Sequence, residues 1–144
     1  MKMVDISDKR EVSRRATAIG EIKLKQETCR LIRAGKIEKG DPLTVAEISA
    51  INGVKESSRL LTFSHQIPLE SVTAQAKLTD SGASLVVSAS AHYRTGVEMD
   101  ALTGVAIGLL NLWDMVKKYE KDEEGQYPST VIHNLRVLEK VKEK

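Results

Sequence analysis

The sequence predicts an α+β fold, in which an antiparallel sheet carries its helices on one face. Two neighbouring signals support this class. Residues 72–79 and 83–93 alternate between apolar and polar side chains around the turn Asp80-Ser81-Gly82, which is typical of a β-hairpin. From Thr95 to about Lys121, apolar residues instead recur every three or four positions, as they do along one face of a helix.

Shorter signals place the elements before the hairpin. A weak alternation predicts a strand over about 11–23, with Arg14 on its apolar face. A short helix is predicted over 25–34, because Gly35 is typical of a helix C-terminus. Asp41-Pro42 is typical of the start of the next helix, with the aspartate as N-cap and the proline in the first turn.

The remaining boundaries complete the order of elements. Asn52-Gly53 is expected to end the second helix, so that a separate helical piece covers about 55–61. Pro68 makes 62–68 a connector, and a last strand is predicted over 131–138. The order is strand, helices, two strands, helix, strand, which is that of the split βαβ or ferredoxin-like fold.

Size and composition limit the function classes. A chain of 144 residues fits one domain, 1–144, with 1–9 and 139–144 expected to be mobile. The net charge of +2 and the aromatic content of 3% argue against a polyanion surface and against base stacking. One cysteine excludes an internal disulfide, and no uninterrupted apolar run approaches the ~20 residues that cross a bilayer. We expect a cytoplasmic protein with neither nucleic-acid nor membrane partners.

Acidic residues at the start of the long helix are the first site candidates. Thr95 followed three residues later by Glu98 is the pattern of a capping box. Asp100, in the first turn, suits the positive end of the helix dipole. These local patterns favour structural roles for both carboxylates over roles in chemistry.

The end of the same helix offers a second candidate. Asp114 and Lys117 are three residues apart and share a face, so a surface ion pair is the default interpretation. A carboxylate beside an ammonium is also an acid–base pair. Glu98 and Asp114 are 16 residues apart, which is roughly 24 Å along a helix. A site that used both would therefore need a second subunit.

Basic and imidazole groups elsewhere are weaker candidates. Lys39 lies on a glycine-containing loop from which a lysine can reach a phosphate. Arg14 and Lys55 are further candidates for phosphate contacts, although each is more commonly a surface charge. Ser64 and His65 are adjacent, so their side chains diverge and do not form a nucleophile–base pair. The three histidines share no metal-ligand spacing, so no metal site is predicted.

Several motifs occur together in one known family. The most specific are Arg94-Thr95-Gly96-Val97-Glu98-Met99-Asp100-Ala101-Leu102-Thr103 and Trp113-Asp114-Met115-Val116-Lys117. Supporting segments are Met3-Val4-Asp5-Ile6-Ser7 with Arg14, Lys39-Gly40-Asp41, Ile48-x-x-Ile51 and Leu135-Arg136-Val137-Leu138-Glu139-Lys140. With these motifs, nearly the whole chain resembles the molybdenum cofactor biosynthesis protein C family, the cyclic pyranopterin monophosphate synthases.

The resemblance implies an assembly and a reaction. The family pattern is a ferredoxin-like fold assembled as a homohexamer, a trimer of dimers, with active sites between subunits. The implied reaction is that of a lyase in molybdenum cofactor biosynthesis. A cyclised GTP derivative, (8S)-3′,8-cyclo-7,8-dihydroguanosine 5′-triphosphate, is rearranged to cyclic pyranopterin monophosphate with release of pyrophosphate. No resident cofactor is implied, and a divalent cation would at most accompany the triphosphate.

The resemblance also implies roles for individual residues. Asp114 matches the acid/base aspartate, and Lys117 and Lys39 match the two essential lysines. The implied substrate-binding positions are Phe63, Ser64, His65, Glu98, Met99 and Asp100. Arg14 and Lys55 match basic residues expected near the triphosphate.

The chain departs from the family pattern near the substrate positions. The usual Pro-x-Cys-His-Pro is Thr62-Phe63-Ser64-His65-Gln66 here, and Asp100 replaces a glutamate that is one methylene longer. The usual glycine- and lysine-rich tail is replaced by 141–144. These departures affect substrate positioning more than reaction class. They leave a non-catalytic nucleotide-binding or assembly subunit of the same fold as the alternative, with an RNA-associated module a distant third.

Overall fold

The computed structural model describes residues 1–143, which form one four-stranded sheet and three helices. In chain order the elements are β1 (Val12–Lys23), α1 (Gln26–Arg33), α2 (Pro42–Leu60), β2 (Leu69–Thr79), β3 (Gly82–Tyr93), α3 (Glu98–Glu120) and β4 (Val131–Glu143). The sheet order is β2-β3-β1-β4, and every neighbouring pair is antiparallel. This is the ferredoxin-like order, so the predicted fold class is confirmed.

One face of the sheet packs against α2 and α3 and forms the core. Along β1 and β3, alternate residues are buried beneath the helices, and the residues between them are partly or fully exposed. The buried hydrophobic side chains are aliphatic except for Cys29, which agrees with the aromatic content of 3%. Arg14 shares the buried face of β1, as predicted, and only 9% of its surface is exposed.

α3 is the central helix of this core. Val105, Leu109 and Leu112 are fully buried along one face of it. By length and composition α3 could cross a membrane, but half of its apolar stretch is buried inside the protein. Because the core helix of a soluble protein has the same properties, α3 is only weak evidence of a membrane span.

α2 runs without interruption from Pro42 to Leu60, so the predicted break at Asn52-Gly53 is wrong. The glycine lies against α3, where a Cβ atom would come within 2.8 Å of the Ile107 Cβ. A glycine costs a helix interior about 1 kcal/mol relative to alanine. Close packing of the two helices offsets that cost. Helix propensities of the local sequence do not include this packing.

The predicted capping box is also wrong. The N-cap of α3 is Val97, and it makes no side-chain capping hydrogen bond. Glu98 is already the first helical residue, so it does not occupy the third position that the capping box requires. The carboxylate is therefore free for the contacts described below.

β4 continues to Glu143, beyond the predicted end at residue 138. Its charged last residues pair with β1 as far as Ser13 opposite Glu143, so residues 139–143 are not a tail outside the fold. β4 lies at an edge of the sheet, where polar side chains are common. Its backbone hydrogen bonds to β1 therefore extend the strand through these polar residues. Residue 144 lies outside the described residues, and mobility of residues 1–9 stays a prediction.

Candidate active site

A carboxylate held between two lysines lies near the C-terminal end of α3. The three-residue spacing places Asp114 and Lys117 on one helix face, with Oδ1 and Nζ 3.1 Å apart. The loop between α1 and α2 brings Lys39 to the other carboxylate oxygen, where its Nζ lies 3.1 Å from Oδ2 and from the Asp114 carbonyl oxygen. The structure therefore brings the three predicted catalytic residues together.

The two ammonium groups determine the protonation state of this cluster. Hydrogen bonds from Lys117 and Lys39 lower the pKa of Asp114 below its ordinary value. The same hydrogen bond to Asp114 raises the pKa of Lys117. The carboxylate is thus ionised at neutral pH and able to accept a proton, and the lysines can donate one or neutralise phosphate oxygens.

This cluster is open to solvent in a single chain. The side chains of Lys39, Asp114 and Lys117 are 47%, 58% and 45% exposed. They line a surface cavity of about 210 Å³, which is smaller than the roughly 300–1,000 Å³ of most ligand sites. Enclosing a nucleotide-sized substrate here requires a further surface.

A larger cavity of about 730 Å³ lies at the other end of α3. It is lined by five of the predicted substrate-binding residues, Phe63, Ser64, His65, Glu98 and Met99. The N-terminal segment supplies another wall through Val4 and Ile6, and the Val4 carbonyl oxygen lies 2.7 Å from Nε2 of His65. The sequence did not place these two residues in a site, because a short polar segment has no periodicity that orients it.

Glu98 connects this cavity to β4. Its Oε1 accepts a hydrogen bond from Nζ of Lys140 at 3.3 Å, while Oε2 is buried without a hydrogen-bond partner among residues 1–143. The sequence did not single out Lys140 as a site residue. It lies in a charged run, and only the pairing of β4 with β1 brings it to the helix start.

Asp100 does not line the cavity that holds the other predicted substrate-binding residues. It is 3% exposed and lies against Ser57 of α2, with its Oδ1 hydrogen-bonded to the serine Oγ. Its Oδ2 is buried and has no hydrogen-bond partner in the described part of the chain. Burial raises the pKa of Asp100 above its ordinary value, and the nearby charge of Glu98 adds to the rise.

The two predicted triphosphate contacts, Arg14 and Lys55, line neither of these cavities. Nε and Nη2 of Arg14 donate to the carbonyl oxygens of Tyr93 and Arg94, at 3.1 and 3.4 Å. Arg14 also lines a separate cavity of about 230 Å³, whose other charged residues are Lys9, Arg10 and Lys142. Lys55 is exposed on α2. Neither Arg14 nor Lys55 therefore lines a cavity that holds other predicted site residues.

The chain thus carries two groups of site residues at opposite ends of one helix. α3 is continuous from Glu98 to Glu120, so the Glu98 and Asp114 backbones are roughly 24 Å apart at ~1.5 Å per residue. The two cavities have no lining residue in common. Within residues 1–143, no three His, Cys, Asp or Glu side chains form a group that could hold a metal ion.

Comparisons with a family model and with known proteins agree on one family. The model of the MoaC family matches residues 3–143. A protein of Saccharolobus solfataricus named probable cyclic pyranopterin monophosphate synthase is 51% identical over 99% of this chain and 96% of its own length. Proteins of the same name from Pyrococcus furiosus and Methanococcoides burtonii are 49% and 50% identical, over 99% and 98% of this chain and 92% and 89% of their own lengths. The chain therefore belongs to the MoaC family.

Proposed function

We propose that this protein is a cyclic pyranopterin monophosphate synthase, a lyase of molybdenum cofactor biosynthesis. Its substrate would be the cyclised GTP derivative 3′,8-cyclo-7,8-dihydroguanosine 5′-triphosphate, and its products cyclic pyranopterin monophosphate and pyrophosphate. The observation that carries the proposal is the Asp114 carboxylate, which lies 3.1 Å from both the Lys39 and the Lys117 ammonium groups. Relatives about 50% identical over nearly their full lengths have this activity in their names.

The proposed roles follow from the chemistry. Opening the purine and closing the pterin require several proton transfers, for which Asp114 and Lys117 are an acid–base pair. Lys39 would add positive charge where the leaving pyrophosphate develops negative charge. The large cavity, with Phe63, Ser64, His65, Glu98 and Met99, would bind the ring system. Arg14 and Lys55 would contact the triphosphate, and buried Asp100 would shape the cavity from behind.

The proposed active unit is an oligomer, a homohexamer built as a trimer of dimers. Two features support shared sites: the half-exposed Asp114 cluster and the roughly 24 Å between Glu98 and Asp114 along α3. Large apolar side chains are also exposed on both long helices, Ile48 at 57% and Leu110 at 54%. A neighbouring copy that covered them would bury apolar surface and bring the helix start of one chain to the helix end of another.

The direct test supplies the purified protein with the cyclised GTP derivative. We expect equimolar pyrophosphate and pterin product, the pterin identified by its fluorescence after oxidation. Adding EDTA would decide whether a divalent cation must accompany the triphosphate, and our expectation is that no resident cofactor is needed. A wild-type protein that gives no product would remove the proposal. The expected cytoplasmic location is tested separately by cell fractionation.

The altered connector favours a second candidate, a non-catalytic nucleotide-binding or assembly subunit. Ser64 stands where the family pattern has a cysteine, and Gln66 stands where it has a proline. Tight binding of the cyclised triphosphate without formation of pyrophosphate or pterin would favour this candidate. Product formation with Ser64→Cys but not with wild type would identify the connector as the cause.

A further inference from the structure

The loop that carries Lys39 lies between two glycines. Gly35 and Gly40 adopt positive φ angles of 69° and 123°, which favour glycine over any other residue. Between them, Ile37 is buried and fixes the middle of the loop, but Glu38 and Lys39 are exposed. The direction of the Lys39 side chain is therefore not determined by the loop backbone alone.

Two neighbouring residues of α3 hold the loop beside Lys39. The backbone N–H of Glu38 donates to Oη of Tyr119 at 2.9 Å, and the Lys118 ammonium pairs with Oε2 of Glu38. The Lys118 ammonium also lies 5.4 Å from the centre of the Tyr119 ring. These two residues lie on the turn of α3 that follows Asp114. Their contacts fix Glu38, the residue that precedes Lys39.

We propose that Tyr119 and Lys118 are positioning residues that hold Lys39 against the Asp114 carboxylate. The inference rests on the proposed function, since it assigns them a part in the same site. They line the same small cavity as Asp114. Among residues 1–143 they make no hydrogen bond or ion pair with that carboxylate, and they act through Glu38. Neither they nor Glu38 is one of the residues assigned to the site from the sequence, because their contacts join positions 80 or 81 residues apart.

A plain surface ion pair is the competing explanation for Lys118 and Glu38, and exposed pairs of that kind contribute little. The Tyr119 contact separates the two explanations. Tyr119 is half-buried against the core, and its hydroxyl receives a backbone N–H, so the contact depends on neither charge nor salt. Removing the Tyr119 hydroxyl should displace Lys39, and every charge in the cluster would stay in place.

The test uses Tyr119→Phe in the full-length protein in its natural assembly. The carboxyl carbon of Asp114 is titrated by NMR, with Asp114→Asn identifying its signal. Because Lys39 is the second hydrogen-bond donor to this carboxylate, we expect Tyr119→Phe to raise the pKa of Asp114 while leaving it below the ordinary value. Turnover should fall about three- to tenfold with KM changed less than about twofold, as the loss of one hydrogen bond allows. Tyr93→Phe, at the far end of β3, is the matched control and should change neither.

A charge exchange tests the second contact independently. Glu38→Lys should reduce turnover more than Tyr119→Phe does, and adding Lys118→Glu should restore it because the ion pair re-forms in reverse. An Asp114 pKa unchanged by Tyr119→Phe, or a double variant no better than Glu38→Lys, would overturn the positioning role. Failure of the wild type to convert substrate would instead remove the proposed function, and the Asp114 titration would still decide whether the loop is positioned by Tyr119.

Discussion

Asp114 is the residue on which the proposed chemistry depends. Asp114→Asn keeps the shape of the side chain but removes its ability to accept a proton. We expect turnover of the cyclised triphosphate to fall at least about 100-fold, the usual contribution of a general acid or base. Substrate binding, measured by calorimetry, should change far less. Asp80→Asn, in the exposed hairpin turn, is the control, and full turnover by Asp114→Asn would contradict the role.

Asp100 is a carboxyl group buried inside the fold. Oγ of Ser57 donates to Oδ1 of Asp100 and also lies 2.9 Å from the Val54 carbonyl oxygen. Burial raises the pKa of Asp100, and the hydrogen bond from Ser57 opposes part of that rise.

The pH dependence of stability tests the raised pKa of Asp100. Because the folded-state pKa of Asp100 is raised, its contribution to stability is fully present below the unfolded value, near 3.8, and is lost as pH rises through the folded value. Asp100→Asn removes the titrating group and keeps an oxygen that can accept from Ser57. We expect urea unfolding to show the variant gaining stability relative to wild type as pH rises from 3.8. A difference that stays flat with pH would mean that folding does not raise the pKa of Asp100.

At the scale of elements, α2 and α3 pack closely because small residues face each other. A Cβ atom on Gly104 would lie 2.5 Å from Cγ2 of Val54 and 2.9 Å from the Ala50 carbonyl oxygen. Gly104→Val should therefore lower the free energy of unfolding by about 1–3 kcal/mol through overpacking. Thr103→Val, on the adjacent outward-facing position, should change it little. Equal stability of the two variants in denaturant titrations would refute the close contact.

The end of α3 is tied to two other elements by a buried carboxylate. Glu120 is fully buried and accepts hydrogen bonds from the Lys25 backbone N–H and from the hydroxyls of Thr28 and Thr130. It thereby caps α1, whose own N-cap residue makes no side-chain capping bond. Glu120→Ala leaves these donors without an acceptor, so we expect a loss of about 2–4 kcal/mol. Glu124→Ala, in the exposed loop, is the comparison in thermal unfolding.

At the scale of the whole molecule, a site shared between subunits predicts complementation. Asp114→Asn damages the helix end of a site, and Glu98→Gln damages the helix start. In randomly mixed oligomers, about one quarter of shared sites would receive an intact half from each of two chains. We expect mixtures refolded together to regain up to about that fraction of wild-type turnover, although each variant alone is inactive. A mixture as inactive as its parents, in oligomers shown by mass measurement to be mixed, would place both halves of the site in one chain.

The sequence by itself determined the elements whose signals are local. Alternation fixed the β2–β3 hairpin, and three- and four-residue spacing fixed α3, because side-chain direction follows directly from backbone geometry. The same rule placed Asp114 beside Lys117. Family motifs added the catalytic and substrate-binding candidates, five of which line one cavity.

Only the tertiary structure decided the features that depend on distant residues. It carried α2 through Asn52-Gly53, kept Glu98 out of a capping box, extended β4 to Glu143, and placed Asp100 against Ser57 instead of in the cavity. It also brought Lys39 to Asp114 across 75 positions. Local propensities are worth about 1 kcal/mol or less per residue, and the burial and hydrogen bonds gained when distant elements pack exceed them. Those contacts are properties of the folded chain, so no window of the sequence contains them.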